Sequence, residues 1–379
     1  MLSIQNFNRL HFLLAPDKFK GSIDSISLCN ILRKEIESFY SDAKVSSSPL
    51  ADGGDGFAHI IKYYFQTEDV EVCTVDPLGR SIHTSYQITA DLTTAFIEMA
   101  SASGLSLLSV EERDVMNSSS FGTGILIKDA LLKGAKKIIL GIGGSATNDG
   151  GVGMADALGF QFFDQSKRRI HPTAALLTSI DLILSPTDNL FQGVEFIVAS
   201  DVKNQLLGPT GASHIYGPQK GANPEQVNFL ELGLKHLDGL FQKDFGLSVS
   251  HNAGAGAAGG MGAGCMVFLG AKLISGVEFI AREIGLEDLI SQADFIITGE
   301  GRVDEQSISG KVVGYIASVA AMHHKKIQLI CGACALSEQK LEELGVGKLS
   351  TLVSFSPSLE EAIKNPDKYI PLALHSLFS

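Results

Sequence analysis

Cysteine is scarce and odd in number, five residues in 379, which excludes a disulfide framework. Cys331-Gly332-Ala333-Cys334 forms a Cys-x-x-Cys, but no second pair completes a zinc site, so it reads as small residues ending a strand. No apolar stretch approaches a membrane span, and the short run Leu10–Ala15 is closed too early by Pro16 and Asp17 for a secretory signal. Those absences point to the cytoplasm. Basic residues are the minority charge. With 30 Lys+Arg against 42 Asp+Glu, the net charge is −12, which leaves no electrostatic drive toward nucleic acid or acidic lipid. An anionic substrate would need its basic partners gathered locally. The histidines show no metal-ligand spacing. The P-loop is absent too, because Gly310-Lys311 is followed by Val312 and no glycine stands at the required distance before it.

What the chain has in excess is glycine, 40 residues of it, much of it clustered. Glycine lets backbone approach a ligand closely or adopt positive φ. The rest of the composition, 45% hydrophobic and 19% charged, suits a globular protein with a sizeable core, and the length favours two domains.

The run His11-Phe12-Leu13-Leu14-Ala15 ending in Pro16-Asp17-Lys18 reads as a buried parallel strand with chemistry at its carboxyl end. Leu28, Ile31, Leu32, Ile36 and Phe39 recur at helical spacing, and the chain returns to a second apolar-to-polar junction at Pro49–Asp52. Short strands at Val70–Val75, Ser85–Thr89 and Thr94–Met99 follow, separated by turn residues. A helix Ile125–Leu132, closed by Gly134, leads to a strand Lys137–Gly141. Residues 160–250 read as irregular apart from a strand Val194–Ala199 before Ser200-Asp201. Clear alternation resumes with a strand Asp294–Gly299, a helix Ser309–Met322, a strand Ile327–Gly332 and a strand around Leu349–Phe355. The expected architecture is α/β. A doubly wound, Rossmann-like domain comes from residues 1–70 and 285–379, together with 118–160, and a second α/β domain, 71–284, is inserted in it. The active site is expected in the cleft between them.

Polar glycine clusters stand where the apolar runs stop, the place where open α/β sheets bind ligands. They are Pro16–Ser22, Ala51–Gly56, Gly141–Gly151 and Gly299–Gln306. Phosphoryl transfer needs residues of these types. Backbone N–H groups cradle phosphates, carboxylates hold Mg²⁺ through oxygen, and Lys or Arg neutralises the transferred group. Asp17, Asp52, Asp149, Asp201, Glu300 and Asp304 are the candidate carboxylates, and Lys18, Lys20, Lys220, Arg302 and Lys311 the candidate anion binders. Asp-Gly turns and Asp helix caps would explain any one cluster, but hardly four at four strand ends. The G-x-G-x-x-G of a dinucleotide site occurs at Gly254–Gly259 without a strand before it, and in its terminal-Ala form at Gly141–Ala146, where Thr147–Gly151 replaces the packed helix such a site wants.

Taken together, Ala15–Ser22, Pro49–Gly56, Gly141–Gly151, Gly217-Pro218-Gln219-Lys220-Gly221-Ala222 and Ile297–Arg302 resemble the signature blocks of the bacterial type I glycerate kinases, in the same order and across nearly the whole chain. Gly254–Gly260 and Ile97–Leu105 resemble further blocks. The resemblance implies a two-domain kinase without a P-loop, using ATP and Mg²⁺ to convert D-glycerate to 2- or 3-phosphoglycerate. Mapped onto this chain, Lys18, Lys20 and Arg302 would gather the carboxylate and phosphates, and Asp17, Asp52 or Asp201 would be the base. Gly53, Gly54, Gly143, Gly144 and Ser145 would line the nucleotide with Asn148, Lys220 and Glu300, and Asp149 or Asp304 would hold metal. Departures are Asp55 for a usual Glu, Phe57 for Thr, Gln205 and Leu207 for Pro and Cys, and Cys331–Cys334 in an Ala/Gly-rich stretch. The rival readings are a nicotinamide-dependent hydroxy-acid dehydrogenase and a non-catalytic sensor of sugar acids. The oligomeric state stays open, a homodimer being one arrangement.

Overall fold

The computed structural model describes residues 9–51, 57–187, 190–308 and 311–378. Two compact units divide the chain, Met1–Asp52 with Val277–Ser379, and Gly53–Gly276. Among the described residues no helix is long and apolar enough to cross a membrane.

In the outer unit, the continuous apolar run His11–Leu14 is a strand buried along its whole length, as a parallel strand covered on both faces must be. It sits in a five-stranded sheet ordered Val346–Thr351, Ile327–Cys331, Phe295–Thr298, His11–Leu14, Lys44–Ser47, with every pairing parallel. Phe12 and Leu14 pack with Leu28, Leu32 and Ile36 of the helix Ser25–Phe39 and with Tyr369, Ile370 and Leu374 of the helix Pro366–Phe378. Leu329 and Cys331 join Val313 of the helix Val312–Met322 in a separate cluster. Asp24 caps the first helix, its Oδ1 accepting from the Ser27 amide at 2.9 Å.

Numbered along the chain within this unit, the strands lie in the order 2-1-3-4-5. That is not the 3-2-1-4-5-6 order of a dinucleotide-binding Rossmann sheet, and the order reverses between His11–Leu14 and Phe295–Thr298. Past the carboxyl ends of these two strands the ladder continues, with Ala15 N–H donating to Ile297 O and Asp17 N–H to Gly299 O, both at 2.8 Å. Gly299 is obligatory there, since a Cβ would stand 1.6 Å from the Ile330 carbonyl oxygen.

The inserted unit carries a six-stranded mixed sheet ordered Lys272–Ile274, Glu195–Ala199, Lys137–Gly141, Thr94–Glu98, Ser81–Thr89, Thr67–Val75. The first four run parallel and the last two are antiparallel additions. The segment 118–160, expected in the outer domain from its βα signature, belongs here. Its strand Lys137–Gly141 is central, paired on one side with Thr94–Glu98 and on the other with Glu195–Ala199. A βα signature marks a parallel strand but does not say which of two sheets receives it. The boundaries near 70 and 284 also move, to 52 and 276. The helix Phe57–Tyr64 leads straight into the hairpin strand Thr67–Val75, and the Phe65 ring packs 5.1 Å from that of Phe96.

Residues 160–250 are more ordered than expected. They hold a three-stranded sheet, Arg169–Ile170, Gln161–Phe163, Leu182–Leu184, and a 17-residue helix Pro224–Leu240. That helix had a start signal. Asn223 and Gln226 form a reciprocal capping box with Pro224 at the first position, and Val227, Leu230, Leu234 and Leu237 are its buried stripe. Asn223→Ala is expected to cost about 1 kcal/mol, read as a lowered urea midpoint with unchanged slope.

Candidate active site

The crevice at the strand reversal of the outer unit is where the sequence placed its first and last clusters. A cavity of about 420 Å³ opens there, lined by Asp17, Lys18, Lys20, Glu300, Arg302, Asp304 and Lys311, all named from sequence. Four cationic side chains and three carboxylates therefore face one space in a chain of net charge −12. Asp17 and Glu300 are nearly buried, at 6% and 7% exposure. Asp17 Oδ1 accepts from the Lys18 amide at 2.7 Å, which fixes the carboxylate at the end of the strand. The backbone makes this crowding possible: a Cβ on Gly301 would lie 3.1 Å from Lys20 N and 3.2 Å from Phe19 Cα.

The turn carrying Arg302 and Asp304 is held by Ser307, whose hydroxyl oxygen accepts from the Asp304 amide at 3.0 Å. Arg302 Nε lies 3.8 Å from Asp304 Oδ2. Opposite, Ser22 Oγ donates to the Ile363 carbonyl at 2.7 Å and ties the Lys18–Ser22 loop to the helix Leu359–Lys364. Sequence reasoning placed Ser22 in the Pro16–Ser22 cluster without a role and missed Ser307 and the apolar wall of Leu352, Leu359 and Ile363. The serines carried a turn signal only, and the wall comes from a segment with no glycine cluster.

Asp52, Gly53 and Gly54 lie outside the described residues.

In the inserted unit the candidates separate by depth. Gly143 and Gly144 form an exposed turn after the strand Lys137–Gly141, with Gly144 at φ +72°. Asp201 follows the neighbouring parallel strand Glu195–Ala199, so the two loops leave the same edge of the sheet. Behind them stands a buried polar frame. Asp149, 0% exposed, accepts at Oδ2 from Ser120 N (2.8 Å), Ser120 Oγ (2.7 Å) and Gly153 N (3.3 Å), and at Oδ1 from Gly151 N (3.1 Å). Asp149, expected from sequence as a metal ligand, thus pins the chain around the helix Val152–Ala157, with three of its four hydrogen bonds at Oδ2. Asn148 is equally buried, its Nδ2 donating to Ser213 Oγ at 3.1 Å.

Lys220, expected to touch the nucleotide, is instead 2% exposed, and its Nζ donates to Ser145 Oγ at 2.9 Å and to the Thr147 carbonyl at 2.6 Å. Burial drives its ammonium down to about 7, with the Asp149 charge acting in the opposite sense. It holds the loop from inside.

A family model described as the glycerate kinase family matches residues 12–379. The chain belongs to the glycerate kinase family. It is 39% identical over 356 residues to the glycerate 2-kinase of Escherichia coli (strain K12), covering 94% of this chain and 93% of that one. To the glycerate kinase of Halalkalibacterium halodurans it is 38% identical over 366 residues, covering 96% of each. A solved Salmonella typhimurium LT2 chain, provisionally assigned as glycerate kinase 2, superposes with a TM-score of 0.83 at 35% identity, covering 98% of this chain and 99% of that one.

Membership in the glycerate kinase family makes the chain a kinase acting with ATP, and it leaves the dehydrogenase and sensor readings without support. The fold agrees. Gly254, Gly256 and Gly259 of the dinucleotide-like motif are packing glycines, whose Cβ atoms would fall 2.1–3.1 Å from the carbonyl oxygens of Val202, Gln205 and Thr147. Nor does a helix open at Ala146 after the second motif, since the next one begins at Val152.

Proposed function

We propose that the protein transfers the γ-phosphoryl group of ATP to the 2-hydroxyl of D-glycerate, releasing ADP and 2-phosphoglycerate. The observation that carries this reading is the cavity of the outer unit, where Lys18, Lys20, Arg302 and Lys311 meet Asp17, Glu300 and Asp304 beyond the reversal of the sheet. Substrate carboxylate and nucleotide phosphates are both anions, and the four cations neutralise them as charge shifts from the γ-phosphoryl group to the leaving ADP. Asp17, fixed by its bond to the Lys18 amide, takes the proton of the attacking hydroxyl. The 2-position is favoured because an E. coli relative is named a 2-kinase.

Mg²⁺ fits this donor set. Among the described residues no three His, Cys, Asp or Glu side chains converge as a metal cage. Magnesium in kinases does not need one, because one or two carboxylates together with substrate phosphates hold it. Glu300 and Asp304 would hold it here, where it would neutralise the phosphates. In the inserted unit, the Gly143-Gly144 turn offers backbone N–H groups to phosphate while Lys220 and Asp149 keep it in place. We read the outer sheet as doubly wound, with ligand at its switch point.

ADP release measured with MgATP and D-glycerate, L-glycerate or no acceptor tests the proposal. Turnover with D-glycerate alone is expected, and it should stop when EDTA removes magnesium. Equal release with and without acceptor would show an ATPase instead.

A further inference from the structure

One pair of groups plays no part in that chemistry and yet borders it. Cys331 ends the strand Ile327–Cys331, next to the edge of the outer sheet, and is fully buried, whereas Cys334, three residues on, is half-exposed. Both are free thiols, and Cys334 packs against the small apolar cluster that holds Cys331, with Val303, Val313 and Leu329. The residues between them, Gly332 and Ala333, line the cationic cavity.

The same four residues are stitched to the segment that carries Glu300 and Arg302. Ala333–Cys334 pairs in parallel with Arg302–Val303. The Ala333 amide donates to Gly301 O at 3.2 Å and the Ala335 amide to Val303 O at 2.8 Å. Gly332 passes so close to Gly301 that a Cβ would stand 2.4 Å from its carbonyl oxygen. This wall has no slack.

The thiols differ in reactivity as a redox pair requires. The hydrogen bond from Cys331, helped by the Leu336 amide, pulls the Cys334 thiol down to about 6. Cys331 is pushed up by that same bond, by burial and by the Glu300 charge. Only Cys334 is therefore both reachable and largely thiolate near neutrality.

We propose that Cys331 and Cys334 are a dithiol–disulfide switch on the wall of the kinase cavity, oxidised by low-molecular-weight disulfides of the glutathione class. In the first step the Cys334 thiolate attacks one sulfur of the disulfide, forming a mixed disulfide and releasing one thiolate. The Cys331 sulfur then attacks the Cys334 sulfur, its proton leaving with the second thiol. The protein loses two electrons and the small disulfide gains them. A covalent S–S bond is about 2.0 Å long, shorter than any contact between two free thiols. Cys331 is fixed in the sheet, so closure draws in Cys334 and with it Arg302–Val303. In a reducing compartment such a pair acts as a sensor rather than a staple.

The effect on turnover rests on the kinase reading, but the thiol chemistry does not. Cys73 is the other thiol that is not buried, so the experiment uses the full chain carrying Cys73→Ser, leaving four of the five cysteines. After incubation with glutathione disulfide, alkylation of the denatured protein should count two thiols instead of four, and the peptide spanning Cys331 and Cys334 should be lighter by two hydrogens. MgATP affinity measured by calorimetry, and kcat/KM with D-glycerate, should fall by roughly 10- to 100-fold, the scale of a misplaced positioning group. Dithiothreitol should restore both, and the further substitution Cys334→Ser should abolish the response. Four remaining thiols, a persistent glutathione adduct, or equal MgATP affinity in the two forms (absent binding included) overturns the proposal. A reduced protein that binds MgATP but never turns over D-glycerate would instead count against the kinase reading.

Discussion

Replacing Asp17 by Asn is expected to lower kcat by about 10²- to 10⁴-fold, the contribution of a positioned general base, with the fold intact. The expectation follows from how the residue is held. Its carboxylate is 6% exposed and accepts the Lys18 amide at 2.7 Å, while its own N–H donates to Gly299 O at 2.8 Å. An amide oxygen can take over the acceptor role, so the loop keeps its course. What is lost is the negative charge and the ability to take a proton. Thermal melts should therefore nearly superimpose, and KM for MgATP should change far less than kcat. Wild-type turnover from a folded Asp17→Asn protein would move the base to Asp52 or Asp201. Asp201→Asn separates those two, because Asp201 stands at the end of the strand Glu195–Ala199 in the inserted unit.

Lys220→Met should reduce kcat/KM on the order of 10²-fold although Lys220 lines no part of the cationic cavity. The substitution leaves Ser145 Oγ and the Thr147 carbonyl without their buried donor, and the Gly143-Gly144 turn loses its inner support. An unsatisfied buried group costs about 1–3 kcal/mol, but the same change removes an ammonium that burial disfavours, so the net stability change depends on pH. Between about 7 and 10.5 the unfolded chain keeps the Lys220 proton and the folded chain has lost it. Wild-type stability therefore gains as pH rises through that window, by about 1.4 kcal/mol per unit. Below 7 both states hold the proton and the contribution is flat. Methionine has nothing to titrate. Urea melts of both proteins below pH 7 and near pH 9 should accordingly diverge in favour of wild type at the higher pH. Parallel stability curves would mean that Lys220 keeps an ordinary pKa.

The parts of this account that were legible in the sequence are those where chemistry and backbone geometry coincide. His11–Leu14 could be read as a two-face-buried strand because all four residues are buried, and Asp17 and Lys18 follow it directly. The cluster around Gly299–Asp304 was legible for the same reason, since Gly299 must be glycine and the charged residues come next. Depth was not legible. Asp149 and Lys220 have the right chemistry for metal and phosphate, but a one-dimensional pattern does not show that Asp149 is buried among four donors or that Lys220 points inward. Sheet membership was equally hidden. The segment 118–160 has the local grammar of the outer sheet and pairs with strands of the inserted one. The apolar wall of Leu352, Leu359 and Ile363 reaches the cavity through tertiary packing alone.

The most direct test of the central claim is the ³¹P NMR spectrum of a completed reaction of the protein with MgATP and D-glycerate. The account predicts one new phosphomonoester signal, coupled to the single proton on C2, appearing in equal amount with ADP. Inorganic phosphate as the only new signal beside ADP, or a spectrum unchanged from the starting mixture, would contradict it.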